Sequence, residues 1–279
     1  MNFLNYLRYF LILLLAGCQG TQNGNTQTGN PLVAFAMTAA PTSATVFHQR
    51  VPKNLLELLI PSAYAYPAPA SMMDANGNTV TMNQNWINIG QIEFKASETV
   101  DVGEISGSSV SFQGPYAVDL FSPNPGNIGF NNLNLNQVRR IRIRLARTSS
   151  VPMTAPNGFL GRSIFLGGTV NGHNFTFSTM DESEIQIAGP YGVVPVENKT
   201  FLLELKTANL IKKINLSSIS TTVNINDGNK VSAANPCPTI DNSASDLFTC
   251  FRKGLETESN LGRDDDGNFQ IDSGEGSVR

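Results

Sequence analysis

The chain is short of charge. Only 15% of its 279 residues are Asp, Glu, Lys or Arg, and the formal net charge is -3. No global field recruits nucleic acid or an anionic surface, so no nucleic-acid partner is expected. Histidine and tryptophan are scarce as well. His48 and His173 lie far in sequence from Cys237 and Cys250, which argues against a zinc site there. Catalytic signatures are missing: there is no Gly-x-Ser-x-Gly elbow, no phosphate-binding glycine loop and no His-Glu-x-x-His. Asp272-Ser273-Gly274 has the letters of an aspartic-protease loop but no second copy, so the paired carboxylates of that mechanism are absent. The expectation is a protein that is not an enzyme. Low charge does not mean disorder here, because 41% apolar residues are enough to build a core.

Long apolar runs are also missing. The run over residues 9–15 falls far below the roughly 20 residues that span a bilayer. It follows a single cation, Arg8, and leads into Leu15-Ala16-Gly17-Cys18. This pattern resembles a bacterial lipobox, with residues 1–17 as a lipoprotein signal peptide. The resemblance implies that Cys18 carries a diacylglyceryl group and that its freed amino group is acylated, with palmitate for example. Several chains at about 0.8 kcal/mol per buried CH₂ exceed what stable anchoring requires. Residues 18–30 read as a flexible tether, since QGTQNGNTQTGN has no apolar residue. Gln19 is not the Asp that resembles an inner-membrane retention signal, which favours the outer membrane of a bacterial cell envelope. Residues 31–78 form a segment punctuated by prolines, with one short helix expected over 53–60. Export also suits Cys237 and Cys250, the pair left over after lipidation, as a disulfide.

From residue 79 to 226 the hydrophobic period is two. Strands are expected over 79–82, 85–95, 108–112, 116–121, 138–146, 163–170, 173–178, 184–188, 200–206 and 219–225, separated by Gly, Pro and Asn signals. Asn76-Gly77 and Asn171-Gly172 mark hairpin turns. Ten short strands without long helices between them imply antiparallel sheets packed face to face, a β-sandwich. One strand puts Ile141, Ile143 and Leu145 on its core face and Arg140, Arg142 and Arg144 on the other. That arginine face either binds an anion or pairs with carboxylates on neighbouring strands. Trp86 reads as core, and His173 as a turn residue.

Residues 86–94 (WINIGQIEF), Gly114-Pro115-Tyr116-Ala117-Val118-Asp119-Leu120, Arg140-Ile141-Arg142 and Leu166-Gly167-Gly168-Thr169 resemble an uncharacterised domain family of bacterial lipoproteins. Its members are similar to β-sandwiches of the carbohydrate-binding-like and transthyretin-like type. The likeness covers about residues 80 to 220 and implies a fold rather than a mechanism.

Residues 235–279 differ in kind. Ser243-Ala244-Ser245-Asp246 resembles a capping box, and Leu247, Phe251 and Leu255 follow at helical spacing, predicting an amphipathic helix to about Leu261. It leads into residues 264–275, whose oxygens match an EF-hand loop: Asp264, Asp266, Asn268, the backbone carbonyl of Gln270, Asp272 and Glu275. Phe269 stands where that loop wants glycine, so a weak structural Ca²⁺ site is expected, with Kd roughly 10⁻⁴ to 10⁻³ M. The fold expected is thus mainly β, a sandwich with a C-terminal helix and an EF-hand-like loop. The function expected is a lipid-anchored, non-catalytic binding or scaffolding module whose partner is an envelope protein or a glycan. The alternatives are a carbohydrate-binding or adhesin module, and an extracytoplasmic hydrolase with an unfamiliar site.

Overall fold

The computed structural model describes residues 32–39, 71–96, 109–121, 126–133, 135–150, 152–196, 199–267 and 270–279. The signal segment 1–17, Cys18, the tether, the helix expected over 53–60, and Asn268 lie outside the described residues. The strands are β1 (Leu32–Ala39), β2 (Ser71–Met73), β3 (Thr79–Lys95), β4 (Ser109–Asp119), β5 (Gly126–Asn132), β6 (Val138–Leu145), β7 (Ile164–Val170), β8 (His173–Thr179), β9 (Glu184–Val193), β10 (Thr200–Leu205), β11 (Val223–Ile225) and β12 (Ser259–Asp264). Among the described residues two α-helices, α1 (Thr207–Lys212) and α2 (Leu247–Thr257), flank β11 in sequence. The protein is mainly β, with two sheets.

The larger sheet is organised on β3, which is 17 residues long. Its first half pairs with β2 and β7, and its second half with β4 and β6. Sequence signals had divided β3 at Asn83-Gln84 and β4 at Gly114-Pro115, yet both strands continue through these points. The apparent breakers are register shifts within the ladder, one between Met82 and Gln84 and one between Ile89 and Gln91. At the second shift a Cβ on Gly114 would lie 2.1 Å from the Ile89 carbonyl oxygen, so the two backbones approach closely where Gly90 and Gly114 lack side chains. Asn171 and Gly172 both have positive φ, 48° and 85°, as the turn between β7 and β8 requires.

The smaller sheet runs β12-β10-β1-β5. It draws on strands outside the expected sandwich bounds of 79–226, since β1 comes from the proline-punctuated segment and β12 from the C-terminal part. The β1–β10 and β11–β8 pairs are parallel, which corrects the all-antiparallel expectation. Neither pair is joined by a hairpin, so no tight turn dictates its direction.

One core joins these parts. Phe94 of β3 meets Phe201 of β10 edge to face at 5.5 Å, linking the two sheets. Phe175 and Phe177 of β8 stack on Phe251 of α2 at 6.0 and 5.0 Å. Asp246 caps α2 by accepting from the Thr249 N–H at 2.8 Å. The helix ends at Thr257 rather than near Leu261, because Ser259 begins the ladder opposite Leu205. Cys237 and Cys250 are joined as a disulfide, both fully buried, with Cα atoms 5.8 Å apart. No helix of the described residues is long and apolar enough to cross a membrane.

Candidate metal centre

The centre is assembled where β12 leaves the sheet. Asp264 is the last residue of β12, opposite Thr200, and is only 3% exposed. The chain then turns at Gly267, whose φ is +79° and whose N–H donates to Asp264 Oδ1 at 2.7 Å. A later turn brings Glu275 back: its Oε1 accepts from the Asp265 N–H at 2.6 Å and its Oε2 from the Asp272 N–H at 2.8 Å. Asp264, Asp266 and Glu275 each thereby offer a carboxylate oxygen to a group whose atoms all lie within 4.8 Å of one another.

Asp265 points its charge elsewhere. Its carboxylate accepts from Arg263 Nε and, at 2.7 Å, from Arg263 Nη2, while its carbonyl accepts from Lys199 Nζ. The hydrogen bond from Arg263 holds the Asp265 carboxyl below its usual range, against a smaller upward push from burial. Two local cations are thus engaged by the acid that alternates between the converging pair. Three clustered carboxylate oxygens are hard donors of the type that Ca²⁺ or Mg²⁺ takes.

The loop therefore brings together three of the expected ligands. Asp272 lies outside the group of three, is exposed, and its charge acts on Glu204 instead. Gln270 is half-buried in the same loop, and Asn268 is outside the described residues. The entry also differs from an EF-hand, since a strand and not a helix delivers Asp264. The expected frame put Phe269, which lies outside the described residues, at the turn; among the described residues of the loop, positive φ falls on Gly267 and Gly274. Sequence reasoning missed the Arg263–Asp265 fork and the buried Glu204. The signal for Glu204 was a lone carboxylate inside the apolar run of β10.

The arginine face resolves toward pairing. Arg142 donates to both Glu184 oxygens at 2.7 and 2.8 Å and lies 3.5 Å from Glu93, which Lys95 approaches at 3.4 Å. Arg140 donates to Gln186 at 3.3 Å. Trp86 is buried against Phe159, with ring centroids 5.6 Å apart. His173 is exposed next to the Asn171-Gly172 turn. A cavity of about 320 Å³ lies over Asn88, Pro115, Ala117, Thr148, Ser149, Ser150 and Pro152. Among the described residues that line it, none carries a charge or an aromatic ring. Comparison of the chain with known protein families, curated proteins and solved structures returns no match.

Proposed function

We propose that this chain is a lipid-anchored lipoprotein of the bacterial outer membrane whose folded part is a non-catalytic β-sandwich binding or scaffolding module. Its C-terminal loop is EF-hand-like in composition and holds one structural Ca²⁺. The observation that carries the cation reading is the convergence of Asp264, Asp266 and Glu275 within 4.8 Å from opposite ends of the loop. Three carboxylates so close repel one another, and a divalent cation relieves that repulsion. The disulfide supports export, because such bonds persist in oxidising compartments. The paired arginine face supports scaffolding over anion binding.

Thermal unfolding tests the reading. At a Kd of about 10⁻³ M, 10 mM Ca²⁺ stabilises the folded state by about 1.4 kcal/mol. The midpoint is expected to rise with Ca²⁺ in the native sequence and to stay fixed in Glu275→Gln. A midpoint that ignores Ca²⁺ in both, or that rises equally in both, counts against the site.

A further inference from the structure

Among the described residues, two buried side-chain oxygens have no hydrogen-bond donor: Glu204 Oε2 and Asn260 Oδ1. They belong to one place. Glu204 of β10 and Asn260 of β12 are register partners, so their side chains leave the same face of the sheet, with Cβ atoms about 4.5–5.5 Å apart. Both residues are buried, at 4% and 8% exposure. The C-terminal loop covers this face. Two residues beyond Asn260, a Cβ on Gly262 would lie 2.6 Å from Ile271 Cγ2, so the loop packs directly on the β12 backbone.

Two groups of opposite sign act on Glu204. Lys206, just past the end of β10, pairs its Nζ with Oε2 at 3.6 Å, beyond hydrogen-bond reach, and its side chain is 40% exposed. Asp272 from the loop adds negative charge. The register partners on the two neighbouring strands, Thr38 and Asn260, carry none. Burial is the largest influence and pushes the Glu204 carboxyl above its ordinary 4.5, against the pull of Lys206 and the Ile271 N–H. A half-solvated ammonium at ion-pair distance does not outweigh it.

An ionised carboxylate is an acceptor only, and so is an amide oxygen. Two such acceptors on register partners, neither with a donor, leave both unsatisfied, and a single proton changes that. We propose that Glu204 binds a proton and donates it to Asn260 Oδ1, forming a neutral clasp across β10 and β12 beneath the C-terminal loop. The clasp weakens as pH rises and the proton leaves. A carboxyl that holds its proton to a higher pH when folded than when unfolded loses its contribution as pH rises through the folded value. The clasp uses none of the three converging carboxylates, and Asp264 lies at the far end of β12 from Asn260; the loop reaches Glu204 through the Ile271 N–H and the charge of Asp272.

The test is a ¹³C NMR titration of the Glu204 side-chain carboxyl in the folded chain, with thermal unfolding of Glu204→Gln alongside. The expected midpoint lies above 4.5, and it falls in Asn260→Ala, where the neutral form loses its acceptor. Glutamine supplies an N–H in place of the proton, so Glu204→Gln unfolds at a higher temperature than the native sequence at pH 8, and that gain shrinks at pH 4. A native midpoint at or below 4.5 overturns the clasp, since water or the Asn260 amide NH₂ would then be solvating a charge. So does a midpoint that rises in Asn260→Ala. Should the glutamine variant not fold, the native titration decides alone.

Discussion

Arg142 stands between carboxylates from two neighbouring strands, Glu93 and Glu184, and all three side chains are less than a third exposed. Removing it takes from Glu184 two short hydrogen bonds, at 2.7 and 2.8 Å, and from Glu93 one of its cations, leaving Lys95 at 3.4 Å and the Gln91 amide at 3.0 Å. Arg142→Met is expected to lower stability by about 1.5–3 kcal/mol in urea unfolding, the range for hydrogen bonds to charged groups. The pair of Lys253 with Asp241 behaves differently with pH. Hydrogen bonds from Lys253 and then Ser243 draw the Asp241 carboxyl from 3.8 down to about 2. A folded value below the unfolded one gives stability that is in full effect above 3.8 and lost as pH falls through about 2. Lys253→Met is therefore less stable than the native sequence at pH 7, and the gap closes as the pH approaches 2. A gap that stays constant across that window would refute the assignment. Alternation in the sequence made the arginine row legible, with its apolar partners inward. The identity of its acids was not legible, because Glu93 and Glu184 reach it only through the non-local pairing of β3, β6 and β9.

The C-terminal helix is stapled in its first turn. Cys250 lies on the buried face of α2 between Leu247 and Phe251, and Cys237 holds the entering loop against it. The bond closes a short loop across a sequence separation of 13, which the chain-entropy account values at about 3 kcal/mol. Cys237→Ala with Cys250→Ala is expected to lose about that much in denaturant unfolding, and peptide mapping without reductant should recover the linked pair. Spacing of the cysteines and the apolar period of the helix were both local signals. Strands were read less well where local signals conflicted with the sheet. Asn83-Gln84 and Gly114-Pro115 read as punctuation, but the ladder absorbs them as register shifts in continuous strands. The β12 segment SNLGRD has no strand-like alternation of apolar residues. It becomes a strand because β10 offers it a partner edge, and β12 in turn stops α2 short.

At the scale of the whole molecule, both ends of the described chain contribute to one fold. β1 and β12 flank β10 in the smaller sheet, and Val278 is fully buried after the loop returns, its N–H donating to the Leu261 carbonyl at 2.9 Å. Arg279 donates to the carbonyls of Glu256, Thr257 and Ser259 at 2.9–3.1 Å and so closes the end of α2. The loop is thus braced at both ends by the sheet and helix. The proposed anchorage at Cys18 predicts that the mature N-terminus carries acyl chains by mass spectrometry; an unprocessed Cys18→Ala protein that partitions into membranes unchanged would contradict it. The ligand letters of the loop were legible because Asp264, Asp266 and Glu275 sit close in sequence. Its path was not, since it depends on where positive φ falls and on a sheet edge far away in the chain. The most direct measurement is calorimetric titration of the chain from residue 19 onward with Ca²⁺. The account predicts one site with Kd roughly 10⁻⁴ to 10⁻³ M, weakened in Asp264→Asn and lost in Glu275→Gln. No heat at millimolar Ca²⁺, or the same heat in both variants, would contradict it.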